Sequence, residues 1–329
     1  MQTQVPRDLR VEGGRHDVAL AHRDDPTGGL PGAHAGEHLD RRPRLLDPRG
    51  PDEHRVDRPL DAAGRFDRAL PVFGTDDGHY WPGVPDEDGA NLALRSLQLA
   101  TSLAVDGSAG AVVTGPIAKA QLAAVGFAFP GQTEFMADAC GLGTANAVML
   151  LAGPQLRTVP ITVHCPLSEV PERLTTGLIY SRSLTVAEAL RADFGIERPR
   201  LAIAALNPHA GENGRMGSED DAIIAPAIAH LRAEGIDATG PHPADTLFAP
   251  RARAKYDVAI AMYHDQALIP LKALDFDQGV NVTLGLPIVR TSPDHGTAFD
   301  IAGQGIADSG AMIAAIRMAG EIAARRARA

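Results

Sequence analysis

Short apolar runs alternate with stretches of helical spacing from about residue 66 to the end of the chain. Runs of strand length predict strands at residues 110–114, 158–164, 200–206 and 257–263. Apolar residues at helical spacing predict helices at residues 91–105, 117–125, 185–194, 220–234 and 308–325. This alternation favours an α/β fold built on a mainly parallel, doubly wound sheet.

Residues 279–290 show a different pattern, in which Val280, Val282, Leu284 and Leu286 occupy every second position. Such alternation places these side chains on one face of an extended strand. We therefore predict a hairpin or an edge strand here, in contrast to the continuous apolar runs of the other strands.

Residues 1–65 have no apolar pattern that could build a buried element. They contain no Ile, Phe, Tyr, Trp or Lys, yet they hold eleven Arg and five of the twelve His of the chain. Low hydrophobicity of this kind permits a disordered extension. The composition equally fits a GC-rich coding sequence read partly out of frame, and both interpretations of this anomalous segment stay open.

Composition excludes some classes of function. The 329 residues are 44% hydrophobic, enough for two α/β lobes or one large domain. A net charge of −10 argues against nucleic acid and anionic membranes as partners. Cys140 and Cys165 form no disulfide framework, and no apolar stretch reaches the ~20 residues that span a bilayer. We expect a cytoplasmic protein.

Three histidines follow three of the predicted strands, with VPITVH ending at His164, LAIAALNPH at His209 and DVAIAMYH at His264. Ligands of open α/β sheets bind beyond the carboxyl ends of the strands. Three imidazoles at one such edge can bind a divalent ion and leave positions open for water or substrate. Because the spacings form no compact motif, the residues alone leave a metal site and a purely structural role equally open.

Lys272 and Arg290 are isolated cations in otherwise apolar or small surroundings. Together with Asn281 they can grip a phosphate, Arg290 through paired hydrogen bonds and Lys272 as a point charge. The alternative is that both are solvated surface charges. No Gly-x-Gly-x-x-Gly sequence follows a predicted strand, so a Rossmann dinucleotide site is not supported.

Seven segments occur in one order along the chain. They read VTGPIAKAQL (113–122), PGQTEF (130–135), VHCPL (163–167), LNPHAGENGRMGSED (206–220), GPHPADTLF (240–248), AMYHDQALIPLK (261–272) and GVNVTLGLPIVRTSPDHGTAFDIAGQG (279–305). Together they strongly resemble the 4-hydroxythreonine-4-phosphate dehydrogenase family of the pyridoxal-phosphate pathway. The resemblance covers about residues 66–320.

This resemblance implies the isocitrate/isopropylmalate-dehydrogenase-like architecture, with two α/β lobes around a central cleft. It also implies a homodimer whose active site is shared between subunits. On this basis residues 66–125 and 291–329 are expected to form the first lobe. Residues 126–290 are expected to form the second lobe, which carries the metal and the dimer interface.

The same resemblance assigns residues to the site. His164, His209 and His264 match its metal ligands, with His264 supplied by the partner subunit, and Gln132, Thr133, Lys272, Asn281 and Arg290 match its substrate-binding positions. Gln132 is a departure, since the family usually has histidine there. Glutamine forms hydrogen bonds but carries no charge near neutral pH, so a binding role can survive while an acid–base role is open.

The implied reaction is a metal-dependent, NAD- or NADP-linked oxidation and decarboxylation of 4-phosphooxy-threonine to 3-amino-2-oxopropyl phosphate. The metal can be zinc, cobalt or magnesium. Asp245 and Asp265 are candidates for the general base, although either can instead orient an imidazole. The alternatives are a related dehydrogenase acting on a four-carbon sugar-acid phosphate or an aromatic cis-dihydrodiol, or an inactive product of a damaged gene.

Overall fold

The computed structural model of the protein describes residues 55–62, 71–73, 81 and 83–328. Of the anomalous segment predicted at residues 1–65, only residues 55–62 are among these, so the prediction for the remainder lies outside the described residues. The strands are β1 Arg55–Val56, β2 Val72–Phe73, β3 Val112–Val113, β4 Val148–Ala152, β5 Arg157–Pro160, β6 Arg200–Ala204, β7 Asp237–His242, β8 Val258–Ala261, β9 Val280–Leu284 and β10 Arg290–Pro293. The helices are α1 Glu87–Val105, α2 Lys119–Ala124, α3 Gln132–Ala139, α4 Val170–Arg173, α5 Thr176–Ala192, α6 Ala225–Ala233, α7 Ala244–Leu247, α8 Pro250–Arg253, α9 His264–Asp275 and α10 Gly310–Arg326.

The chain forms two compact units. The first contains the described residues up to Ala109, with Ile117–Phe129 and Gly296–Asp308, and the second contains Gly110–Pro116, Pro130–His295 and Ser309–Ala329. These boundaries differ from the predicted ones. Helix α10 was expected in the first lobe, but it packs on β10 of the second unit, where Ala315, Ala319 and Ile322 are buried in the core.

The first unit is mainly helical where it is described. Helix α1 begins at Asp86, whose carboxylate accepts a hydrogen bond from the Gly89 N–H at 2.7 Å and so caps the helix. Helix α2 packs against α1. Strands β1 and β2 form a separate two-stranded parallel sheet.

The second unit is built on an eight-stranded sheet of order β3-β10-β9-β4-β5-β8-β6-β7. Strands β5, β8, β6 and β7 run parallel to one another, and β3 is parallel to β10, whereas β10–β9, β9–β4 and β4–β5 are antiparallel pairs. The sheet is therefore mixed, with its parallel part where the three histidine-bearing strands were predicted.

Helices cover both faces of this sheet, as the doubly wound prediction requires. Side chains from α5, α6 and α10 pack with one face of the strands in the larger core cluster. Leu247 of α7 and residues of α9 pack with the other face in a smaller cluster. The α/β fold class is confirmed.

Strands β9 and β10 form an antiparallel pair, which confirms the hairpin predicted from residues 279–290. The edge-strand alternative is wrong, because β9 lies between β10 and β4 inside the sheet. Helix α5 begins nine residues before its predicted start, at a turn where the Thr175 hydroxyl accepts a hydrogen bond from the Leu178 N–H at 3.1 Å. Among the described residues no helix is long and apolar enough to cross a bilayer.

Candidate active site

The three predicted metal ligands follow three adjacent strands. Strands β5, β8 and β6 are neighbours and parallel, so their carboxyl ends meet at one edge of the sheet. His164 lies beyond β5, His264 begins α9 after β8, and His209 lies beyond β6. The ring centroids of His164 and His264 are 5.8 Å apart. The edge thus gathers imidazoles that are distant in the sequence.

Two of these histidines have left-handed backbone conformations. The φ angle is 49° at His164 and 54° at His209. A non-glycine residue in this region costs on the order of 1 kcal/mol or more, and such strain concentrates at functional sites. The surrounding structure therefore holds both histidines in backbone conformations that local preference disfavours.

The loop that carries His209 is anchored by Asp220. This carboxylate is 1% exposed and accepts hydrogen bonds from the backbone N–H groups of Leu206 at 2.8 Å and Asn207 at 3.2 Å. It also accepts one from the Asn207 side chain at 2.9 Å. One buried side chain thus fixes the point where the chain leaves β6 towards His209.

A second buried side chain joins the ends of β6 and β8. The Gln266 Oε1 accepts from the Met262 N–H at 2.6 Å, and its Nε2 donates to the Ala205 carbonyl at 2.8 Å. Met262 lies two residues before His264, and Ala205 lies four residues before His209. Gln266 therefore links the two segments that lead into these histidines.

The two candidate general bases are placed differently. Asp265 Oδ1 lies 2.7 Å from His264 Nδ1, which is the arrangement of a carboxylate that orients an imidazole. Asp245 lies in α7, is exposed, and forms no side-chain hydrogen bond or ion pair with any described residue. Asp265 thus fits the orienting role, while nothing at Asp245 distinguishes a base from a solvated carboxylate.

A pocket of about 350 Å³ opens beside His164 and His264. Thr162, Cys165, Val170, Tyr263 and Asp265 contribute to its walls. Within the described part of a single chain, no three His, Cys, Asp or Glu side chains are arranged to hold a metal ion. One chain alone therefore does not assemble the predicted three-histidine centre.

Arg290 forms a second, buried cluster. Its side chain is 5% exposed, and its Nη2 donates to Thr114 Oγ1 at 2.9 Å and to Gln132 Oε1 at 2.7 Å. Its Nη1 donates to Thr283 Oγ1 at 3.3 Å, while its Nε is buried and has no acceptor among the described residues. All three acceptors are uncharged.

Burial lowers the pKa of Arg290 to about 10, an effect that the negative charge of Glu134 partly opposes. The guanidinium therefore stays protonated near neutral pH, without a carboxylate hydrogen-bonded to it. A buried cation with neutral partners and one unused donor is suited to receive an anion.

The alternation of β9 and β10 explains why Arg290 points where it does. Val280, Val282 and Leu284 belong to the larger core cluster, so the intervening Asn281 and Thr283 lie on the opposite face. In the antiparallel register Arg290 pairs with Thr283 and Ser292 pairs with Asn281, which places these four side chains on that same face. The hairpin thus has one apolar and one polar side.

The remaining predicted substrate-binding residues are also in the second unit. Lys272 of α9 lies 3.1 Å from a carboxylate oxygen of Asp294 and donates to the Asp294 carbonyl, also at 3.1 Å. The Asn281 Oδ1 is buried without a hydrogen bond to any described residue. Thr133 is half-buried in α3, directly after Gln132.

Sequence reasoning missed four residues that shape the site. Thr114 stood only within a matched segment, yet its N–H donates to the Thr291 carbonyl and its hydroxyl accepts from Arg290. Thr283, Asp220 and Gln266 were not singled out. The available signal was a polar residue within an otherwise apolar element, but its partners lie far away in the sequence.

Comparisons with known proteins agree with one another. The family model described as pyridoxal phosphate biosynthetic protein PdxA matches residues 47–319, which includes the last part of the anomalous segment. The chain is 65% identical over 272 residues to a 4-hydroxythreonine-4-phosphate dehydrogenase of Erythrobacter litoralis, covering 83% of this chain and 81% of that protein. It is 55% identical to one of Zymomonas mobilis, covering 82% and 80%.

Solved structures show the same likeness. The crystal structure of 4-hydroxythreonine-4-phosphate dehydrogenase from Klebsiella pneumoniae matches with a TM-score of 0.71 and 39% identity, covering 82% of this chain and 81% of that one. A terephthalate 1,2-cis-dihydrodiol dehydrogenase from Burkholderia xenovorans matches with a TM-score of 0.56 and 30% identity, covering 74% and 76%.

Proposed function

Because the chain belongs to the PdxA family, whose curated relatives are 4-hydroxythreonine-4-phosphate dehydrogenases, we propose that its substrate is 4-hydroxythreonine 4-phosphate. The chain is an oxidoreductase of pyridoxal phosphate biosynthesis. The single observation that best supports this substrate is the buried Arg290 cation, whose hydrogen-bond partners are all neutral, because a phosphate supplies the charge that these partners lack.

The phosphate end of the substrate is assigned to Arg290 and Lys272. Arg290 has an unused buried Nε donor, and Lys272 supplies a second positive charge, which the Asp294 carboxylate at 3.1 Å partly offsets. Asn281 supplies a further polar atom without a partner among the described residues, and Thr133 adds a hydroxyl in α3. Two cations and neutral hydrogen-bonding groups are the chemistry that recognises a phosphate monoester.

The metal end is assigned to His164, His209 and His264 of the partner subunit. Three imidazoles suit zinc or cobalt, and magnesium is the third candidate although it prefers oxygen ligands. The left-handed backbone at His164 and His209 supports a role as metal ligands. This conformation is unfavourable for residues other than glycine, and such strain is found mainly at functional sites. A bound divalent ion would polarise the substrate hydroxyl and so lower its pKa.

The chain's own residues must position the alcohol and receive its proton. Asp265 contacts the His264 imidazole at Nδ1, which leaves Nε2 as the nitrogen that can bind a metal ion. Asp245 remains the candidate general base, as an exposed carboxylate of α7. Bound NAD or NADP would accept the hydride, and loss of carbon dioxide would then give 3-amino-2-oxopropyl phosphate.

A homodimer is part of the proposal, because the described residues of one chain do not assemble three ligands and the family resemblance places the third on the partner. Neither nucleic acid nor a membrane is proposed as a partner. The likeness to a cis-dihydrodiol dehydrogenase makes an aromatic dihydrodiol the rival substrate class. That rival has no phosphate, so only the phosphorylated substrate is expected to depend on the positive charges of Arg290 and Lys272.

The test is NADH or NADPH formation with 4-hydroxythreonine 4-phosphate, 4-hydroxythreonine and an aromatic cis-dihydrodiol, with and without zinc, cobalt or magnesium. We expect turnover only with the phosphorylated substrate and an added ion. Lys272→Met should raise KM about 10- to 100-fold, since a charge-assisted hydrogen bond contributes roughly 1.5–3 kcal/mol.

The matched control is Lys255→Met, which removes an exposed lysine outside the site and should leave KM unchanged. Equal turnover of the dihydrodiol, or equal KM for the two lysine variants, would contradict the phosphate assignment.

A further inference from the structure

The side chain of Gln132 is a buried amide with a protein partner at each end. It is 7% exposed, at the first turn of α3. Its Oε1 accepts from Arg290 Nη2 at 2.7 Å, and its Nε2 donates to the Gly115 carbonyl at 3.3 Å. Both ends of the amide are thus committed within the protein.

The two partners fix which way the amide faces. A guanidinium only donates hydrogen bonds, so it must meet the amide oxygen, and a carbonyl only accepts, so it must meet the amide nitrogen. Reversing the amide would break both interactions. Gln132 therefore connects Arg290 of β10 to the loop after β3 in a single orientation.

We propose that Gln132 is a positioning residue, whose amide holds the Arg290 guanidinium in place for an anionic substrate at every pH at which the protein is folded. This inference rests on the proposed function for the identity of the anion. It goes beyond that function by assigning Gln132 to Arg290 rather than to direct contact with substrate.

A histidine at position 132 could form the same two hydrogen bonds only when it is neutral. One ring nitrogen would have to accept from Arg290 while the other donates to the Gly115 carbonyl, and a neutral imidazole offers this combination. A protonated imidazole has two donors and a positive charge, so it would face the Arg290 cation with the wrong hydrogen-bonding group and the wrong sign.

The charged groups around this amide are few. Arg290 on β10 contacts it directly, and Glu134 on α3 supplies the opposing charge that acts on Arg290. The other hydrogen-bonding neighbours of the guanidinium, Thr114 after β3 and Thr283 on β9, do not titrate in the acid to neutral range. Introducing a histidine would therefore add a titration that this cluster does not otherwise have.

The experiment compares Gln132→His with the parent chain and with Gln98→His, which places a histidine on the exposed surface of α1. KM for 4-hydroxythreonine 4-phosphate is measured in the holoenzyme from pH 5.5 to 8.5. The ratio of variant to parent KM cancels the titration of the metal-binding histidines, because that titration is common to both proteins.

We expect the KM ratio for Gln132→His to be small above pH 7.5 and to rise, by up to tenfold for each pH unit, once the pH falls below the folded-state pKa of the introduced histidine, which the Arg290 charge holds below the ordinary value of about 6.5. Gln132→Met has a similar size and no hydrogen-bonding amide, so its KM should be raised by the same factor at every pH. Gln98→His should have a ratio near one throughout. A parent-like KM for Gln132→Met would overturn the inference, as would a flat KM ratio for Gln132→His together with an unfolding free energy that changes with pH no more than that of Gln98→His.

A second measurement does not depend on activity. A histidine kept neutral by Arg290 has a folded-state pKa below its unfolded value, so its contribution to stability is present above about pH 6.5 and is lost as the pH falls. In urea, the unfolding equilibrium constant of Gln132→His should rise, relative to that of Gln98→His, by up to tenfold for each pH unit below about 6.5. If the parent fails to turn over the substrate, the proposed function fails, while this unfolding comparison still decides the role of Gln132.

Discussion

Gln266 offers a prediction whose size follows from two hydrogen bonds. Its amide accepts from the Met262 N–H and donates to the Ala205 carbonyl, and all three residues are buried. In Gln266→Leu, the leucine fills the space but leaves one backbone donor and one backbone acceptor without partners. Each unsatisfied buried group costs about 1–3 kcal/mol, so we expect the free energy of unfolding to fall by about 2–6 kcal/mol.

Gln266→Glu tests the same contact with a pH signature. The carboxylate can still accept from Met262, but it faces the Ala205 carbonyl with an oxygen unless it is protonated. Its folded-state pKa is therefore expected above the unfolded value of about 4.3. The stability of the variant should be intact below that value and fall as the pH rises, by about 1.4 kcal/mol per unit until the folded pKa is passed.

The assay is urea unfolding followed by circular dichroism at pH 5 and pH 8, with Gln98→Leu and Gln98→Glu on the exposed surface of α1 as matched controls. Calorimetric titration with zinc adds a second readout, since Gln266 links the segments before His209 and His264. Because Gln266 supports the backbone before both histidines, we expect zinc to bind more weakly to Gln266→Leu than to Gln98→Leu. Unfolding free energies within 0.5 kcal/mol of the Gln98 controls would refute the reasoning.

Two further predictions concern buried carboxylates. Asp220→Asn keeps the shape of the side chain but weakens its acceptance from the Leu206 and Asn207 N–H groups, so we expect about 1–3 kcal/mol lower stability and weaker zinc binding by titration. Unchanged zinc affinity would show that the Asp220 carboxylate does not influence the position of His209. Asp193 is 3% exposed and forms paired hydrogen bonds with Arg326 at 2.6 and 2.9 Å. Asp193→Ala should lower the unfolding free energy by about 2–4 kcal/mol, less than for a fully buried pair because Arg326 is 27% exposed, and Arg326→Met should recover part of it in the double variant. Additive effects of the two substitutions in chemical unfolding would argue against a coupled pair.

Local patterns were sufficient for much of the fold. Apolar runs of strand length identified β5, β6 and β8, because a strand buried on both faces needs a continuous apolar run. Alternation identified the hairpin of β9 and β10, because period-2 spacing sends successive side chains to opposite faces. The positions of the three histidines were also predictable, because each histidine follows an apolar run that forms one of these strands.

Other features depended on longer-range packing. The early start of α5 was missed, since Gly177 and several polar residues weaken the helical pattern there, whereas Ile179 and Ser183 are buried. The interior position of β9 and the placement of α10 on the sheet of the second unit were also missed. Strand order and helix docking are decided by which apolar faces meet, and a local pattern does not state this.

The sequence by itself determined where the candidate residues stand, since His164, His209 and His264 follow predicted strands and Lys272 and Arg290 are isolated cations. The tertiary structure decided what they contact. The hydrogen bonds of Arg290 join residues separated by 176 positions at Thr114 and 158 at Gln132. Such contacts exist because β10 pairs with β3 and α3 packs nearby, and strand pairing is a property of the whole folded chain.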